Sequence, residues 1–102
     1  MSTQFRSFRE FYPYYLSEHA NPTCRRLHFI GSALVLVVLG LVLAGVLGPW
    51  WLLSLPVIGY GFAWAGHFFF EHNRPATFRN PWYSLAGDWV MFKDMLIGRV
   101  RF

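Results

Sequence analysis

The chain has 102 residues and a formal net charge of +4; 55% of it is hydrophobic, 21% aromatic and only 14% charged. That length allows one domain, and a soluble domain so small must show water far more charge. The single cysteine, Cys24, excludes an intramolecular disulfide and a multi-cysteine metal site and reads as a buried or idle thiol, and basic residues that flank apolar runs point to anionic lipid headgroups, not nucleic acid.

In chain order, Phe5, Phe8, Phe11, Tyr12 and Tyr15 recur at helical spacing, with Arg6, Arg9 and Glu10 elsewhere on the wheel. The pattern predicts an amphipathic interfacial helix over about 3–19, kinked or restarted at Pro13. It has no apolar core run of the signal-peptide kind, so insertion is expected to rely on internal spans. From Leu27 to Phe70, 44 residues pass without Asp, Glu, Lys or Arg. That is about right for two membrane spans of ~20 residues each. Gly48-Pro49 breaks the run and Trp50-Trp51 suit an interface, which predicts helices over about 22–47 and 50–71. Pro56 should kink the second. Gly40, Ala44 and Gly48, with Gly59 and Ala63, form small-residue stripes suited to a helix seam within the chain or between copies in a homo-oligomer. A last interfacial helix is predicted over about 81–98, with Asn80 as cap, Pro81 at the first position and an apolar stripe of Trp82, Leu85, Trp89, Phe92 and Leu96.

The fold expected is therefore an all-α membrane protein, a two-helix hairpin in the lipid bilayer with an interfacial helix on either side. Arg25 and Arg26 precede the hairpin and Arg74 and Arg79 follow it, which places both termini in the cytoplasm by the positive-inside rule.

The hairpin returns all four histidines, His19, His28, His67 and His72, to one membrane face. Neutral imidazole is the commonest metal ligand, and ionisable residues at the edge of a span mark functional sites. A Glu-His-x-x-Pro string occurs twice, at Glu18–Pro22 and Glu71–Pro75. A helix-ending turn accounts for the Asn and Pro of each string but not for the histidines. On a straight helix His67 and Glu71 share a face, whereas His67 and His72, five apart, diverge by about 140°. Gly31 and Gly66 leave room beside His28 and His67.

Two stretches, His19-Ala20-Asn21-Pro22 continuing to His28, and Gly66-His67 with Glu71 and Arg74-Pro75, resemble the 2-hydroxy fatty acid dioxygenase family. Its yeast member shortens phytosphingosine-derived acids by one carbon at the endoplasmic reticulum. The resemblance spans most of the chain and is to a short bacterial form, which implies a bacterial inner membrane. It implies an Fe(II) dioxygenase that uses O₂ to convert a 2-hydroxy fatty acid to the acid one carbon shorter. It also implies His19, His28 and His67 as ligands, with His72 a possible fourth where another member has lysine. Three protein ligands leave three of about six octahedral positions for a chelating hydroxy acid and O₂, and the donor set leaves zinc and manganese open. Glu71 reads as a catalytic base or as a group that orients a histidine, Asn21 as its equal or as a helix cap, and Arg74 as a carboxylate partner or a positive-inside residue. With the acyl tail in lipid, chain-length selectivity should be shallow.

Other classes explain less. A membrane di-iron oxygenase needs about eight histidines. A haem protein would pair histidines across a porphyrin. A non-enzymatic hairpin subunit needs no metal.

Overall fold

The hydroxyl of Ser7 accepts the amide of Glu10 at 3.3 Å and caps α1, Phe8–Ser17. This is a computed structural model that describes residues 5–102; residues 3 and 4 of the expected first helix lie outside the described residues. Among the described residues the chain is 76% helical with no strand. Pro13 neither breaks nor restarts α1, which runs through it with that ring on the exposed side.

Asn21 starts α2, Pro22–Leu43: its side-chain oxygen accepts the amides of Thr23 and Cys24 at 2.9 and 3.3 Å, and Pro22 takes the first position. The helix stops four residues short of the expected end because Gly45 adopts φ 79°. The amides of Gly45 and Val46 then turn back to Val42 and Leu41, satisfying carbonyls the helix end leaves open.

The second apolar stretch, Pro49–Glu71, is one helical run in three windings. A 3₁₀ turn over Pro49–Leu53 passes into α3, Ser54–Gly66, and α3 widens into a π turn over His67–Glu71. Pro56 lies in the first turn of α3, just past the change from 3₁₀ to α winding, and the helical run continues through it. Both α2 and Pro49–Glu71 are long and apolar enough to cross a membrane, and only 11% and 17% of their most apolar windows are buried.

Helices α2 and α3 meet most closely at the histidine end. A Cβ on Gly31 would lie 2.8 Å from Cβ of Phe62, and one on Gly66 would lie 3.1 Å from Cα of Cys24. These glycines admit the neighbouring helix and do not open space beside a histidine, as the spacing suggested. The stripe at Gly40 and Gly48 meets nothing within 4 Å.

After a 3₁₀ turn over Ala76–Phe78 comes α4, Pro81–Leu96. Asn80 holds the cap position but its side chain makes no capping bond. Of the expected apolar stripe, Trp82 and Leu96 point outward, Leu85 and Trp89 are partly exposed and Phe92 packs on Phe29, while Ser84, Gly87, Met91, Asp94 and Met95 face in. Phe11 and Tyr15 of α1 close this core against Met91, Met95 and Ala76. Arg25 and Arg26 donate to the carbonyls of Arg101 and Phe102, at 3.0 and 3.2 Å, which ties the chain's last residues to the start of α2.

Candidate metal centre

His19 follows the end of α1, His28 lies two turns into α2 and His67 opens the π turn. All three are buried, at 1%, 6% and 2% exposure, with ring centroids 4.4 to 5.0 Å apart. Nε2 of His19 stands 3.1 Å from Nε2 of His28.

The protons can be assigned from the partners. Nδ1 of His19 lies 2.6 Å from the carbonyl of Tyr15, one of the last carbonyls of α1, and Nδ1 of His28 lies 2.9 Å from the carbonyl of Cys24. Nδ1 of His67 lies 2.6 Å from the side-chain oxygen of Asn73. That amide cannot be reversed, because its nitrogen donates to the carbonyl of Glu18 at 3.1 Å. A carbonyl oxygen only accepts, so each imidazole carries its proton on Nδ1 and keeps a bare lone pair on Nε2, and those of His19 and His28 face each other. Two lone pairs 3.1 Å apart repel unless a cation lies between them. Two nitrogens that would each bind one divalent ion at about 2.0–2.1 Å come about as close as this. A histidine donating its other N–H to a carbonyl is the usual support of a metal ligand. The donor set therefore fits a divalent transition metal. Burial first, then the neighbouring His28 and His67, hold the His19 imidazole well below its ordinary pKa, so it stays neutral and ready to bind.

Cys24 belongs to the same cluster, the four ligand atoms lying within 4.8 Å of one another. Its contact with His28 is at 3.9 Å to Nδ1, the nitrogen already given to the Cys24 carbonyl. We read the thiol as packing behind the ring. His72 is exposed and left-handed, φ 60°, and is not in the cluster. The straight-helix argument that separated it from His67 does not apply to a π turn, whose bonds run i to i+5. The left-handed cap is what turns it away.

Glu71 makes no hydrogen bond to a histidine among the described residues. Its carboxylate accepts the backbone amide of Asn21 at 2.7 Å, and Asn21 in turn caps α2. Arg74 is exposed in a polar surface depression with Glu18 and Arg79, apart from the residues around His28. The two Glu-His-x-x-Pro corners instead interlock, Glu71 receiving Asn21 and Glu18 receiving Asn73. Asn73 was passed over in the sequence as part of a turn. Its role depends on the π turn, whose carbonyl at His67 takes the amide of Asn73 at 3.0 Å and folds that residue back onto the ring.

The sequence matches, over residues 5–100, the family described as 2-hydroxy-palmitic acid dioxygenase Mpo1-like. The chain belongs to the Mpo1-like family. Comparison with curated proteins and with solved structures yields no match.

In this Mpo1-like chain His28 of the cluster also lines a cavity of about 240 Å³ between α2, α3 and α4. His28, Ser32 and Val35 line it at successive turns of α2, and Leu55, Pro56, Gly59, Tyr60 and Ala63 line the α3 side. Leu85, Asp88 and Trp89 of α4 complete the wall. At 1.5 Å per residue, the lining from Ala63 to Leu55 runs about 12 Å along the hairpin. The cavity is polar at one end and apolar along its length, the shape of a site for a single-chain amphiphile.

Proposed function

We propose that this protein is a membrane-embedded, Fe(II)-dependent dioxygenase that shortens 2-hydroxy fatty acids by one carbon. The observation that carries the reading is the buried cluster of His19, His28 and His67, each with Nδ1 held by a carbonyl oxygen and Nε2 left bare, beside an apolar cavity that His28 lines. Family membership supports the substrate class and reaction.

The membrane placement rests on the outward residues. Leu43, Trp50, Leu53, Val57 and Phe69 are each 70% exposed or more, on helices long enough to cross a bilayer. So many large apolar side chains in water would aggregate the chain. Lipid satisfies them, and it also suits the outward Trp82 and Leu96 of an interfacial α4. Arginines at both hairpin ends put both termini on the cytoplasmic side.

His19, His28 and His67 would hold the iron, which when bound activates O₂ and seats the hydroxy acid. Their Nδ1 acceptors fix the rings before metal arrives, so binding needs little reorganisation. A hydroxy acid and one dioxygen balance to the shortened acid, one carbon dioxide and one water, with no further reductant. The cavity takes the first part of the acyl chain and leaves the carboxyl and hydroxyl at the His28 end. A histidine-only ligand set keeps the site cationic for that anionic head.

The test is mass spectrometry of products from matched 2-hydroxy and unsubstituted acids, with iron-loaded and metal-stripped protein. Iron-dependent shortening of the hydroxylated acid alone is expected. A hydroxy acid left intact by iron-loaded protein, or both acids shortened alike, overturns the proposal.

A further inference from the structure

Asp88 is the one acidic side chain on the cavity wall, and the metal cluster does not use it. Oδ1 accepts a hydrogen bond from the hydroxyl of Tyr15. Tyr15 is wholly buried, its ring stacked on His19 at 4.1 Å between centroids, and its carbonyl receives the His19 proton. The α4 backbone is pressed on that ring, since a Cβ on Gly87 would lie 2.9 Å from it. One tyrosine thus fixes both a candidate metal ligand and the carboxyl of Asp88, and Asp88 cannot drift relative to His19. Its second oxygen has no hydrogen-bond partner among the described residues and shares the cavity with His28. A half-buried carboxyl in an apolar wall is costly unless something donates to it.

We infer that Asp88 reads the 2-hydroxyl, its free oxygen accepting the hydroxyl proton of a substrate whose carboxyl end lies at the histidines. The inference rests on the reading of the cavity as the hydroxy-acid site. It gives the hydroxyl a protein partner beyond the metal and explains how a plain fatty acid, equally able to fill the apolar part, is refused. The acceptor must be a carboxyl oxygen and not an amide nitrogen, because the group it meets is a donor. Burial, against the lowering effect of the Tyr15 bond, raises the Asp88 carboxyl to about 7, so the binding comparison is made above that pH, where the free oxygen carries no proton and can only accept.

The experiment compares binding of three acids of equal chain length, 2-hydroxy, 2-oxo and unsubstituted, to Fe(II)-loaded protein held without oxygen, so that nothing turns over. The 2-oxo acid keeps a second oxygen for chelation but has no proton to donate. Wild type should prefer the 2-hydroxy over the 2-oxo acid by about tenfold or more. Asp88→Asn leaves an acceptor for Tyr15 and turns the free oxygen into a donor. It should reverse that preference with iron per chain unchanged. Equal binding of the two acids by wild type, or a wild-type preference retained in Asp88→Asn, overturns the inference. Should Asp88→Asn fail to hold iron, the wild-type ratio decides alone. Absent turnover with the hydroxyl preference intact removes the dioxygenase reading and leaves Asp88 in its role.

Discussion

The side-chain oxygen of Asn73 stands 2.6 Å from Nδ1 of His67, and the nitrogen of the same amide reaches the carbonyl of Glu18 at 3.1 Å. One residue thus orients a candidate ligand and pins the corner that carries His19. Asn73→Ala should lower metal affinity about 10–100-fold, the usual cost of losing such support, by competition with a chelator. Asn73→Asp keeps an acceptor for His67 and should lose less. Equal affinities for wild type and Asn73→Ala would show that the ring needs no such anchor.

Replacing His19, His28 or His67 by Ala should abolish metal retention, because each removes one of the three clustered imidazoles. His72→Ala should leave metal content near wild type, given its exposed, left-handed position. Cys24→Ser should also retain metal if the thiol packs behind His28. Metal per chain, measured by elemental analysis, decides. Loss in Cys24→Ser would make the sulfur a fourth ligand.

Gly66→Ala tests the helix seam. The new methyl would meet Cys24 at 3.0 Å from Sγ and 3.1 Å from Cα, and the Cα cannot swing aside. Such overpacking costs about 1–3 kcal/mol, and here the strain falls between the residues that precede His67 and His28. Lower thermal stability together with weaker metal retention is expected. Gly40→Ala, with open space around it, serves as the control and should be neutral or slightly stabilising.

Much of this architecture is legible in the sequence because 44 residues without a charge, broken once at Gly48-Pro49, leave room for two long apolar helices and little else. The hairpin, the helix starts at Pro22 and Pro81 and the gathering of His19, His28 and His67 at one end all follow from charge, proline and histidine positions. What the sequence hides is local winding. Nothing in His67–Glu71 announces a π turn, so the helical wheel gave Glu71 the place that Asn73 takes. The α4 stripe shows which residues are apolar but not what the opposite face does: Ser84, Gly87, Asp88 and Met91 face inward, and no apolar periodicity marks them. Tyr15 and Asp88 are 73 positions apart, and only the docking of α1 on α4 pairs them.

The same pair carries a pH signature. The Asp88 carboxyl is raised from its ordinary 3.8 to about 7 by burial. Between those values the folded chain keeps a proton that the unfolded chain has released. The stabilising contribution is therefore full below pH 3.8 and is lost as pH rises toward 7. His19 has the opposite sign, since its lowered value makes metal-free protein lose stability as pH falls below about 6.5. Taking the difference between wild type and Asp88→Asn removes the histidine effect. Wild type should lose about 1–2 kcal/mol relative to Asp88→Asn between pH 4 and 7, allowing for water in the cavity. Thermal melts of metal-free protein across that range measure it. A flat difference would mean that Asp88 is already well solvated.

A tail left wholly in lipid predicts shallow chain-length selectivity, whereas a cavity lined by Val35, Leu55 and Gly59 predicts a profile with a break. Each methylene that enters the lining should add up to roughly 0.8 kcal/mol, and methylenes beyond its end should add only their partitioning into lipid. Gly59 separates the two accounts. A Cβ there would sit 3.6 Å from a methyl of Val35, an ordinary contact, so Gly59→Ala should be tolerated. Gly59→Leu reaches further and should fill the middle of the cavity. It should weaken binding of long 2-hydroxy acids while sparing those too short to reach residue 59, moving the break in the profile to shorter chains. Iron content should stay unchanged, because Gly59 lies about two turns from His67, eight residues along the helix. Binding measured over a series of chain lengths, with both variants beside wild type, reads the position of the break. An identical profile in Gly59→Leu and wild type would return the tail to the bilayer and leave the cavity with only the head of the substrate to hold.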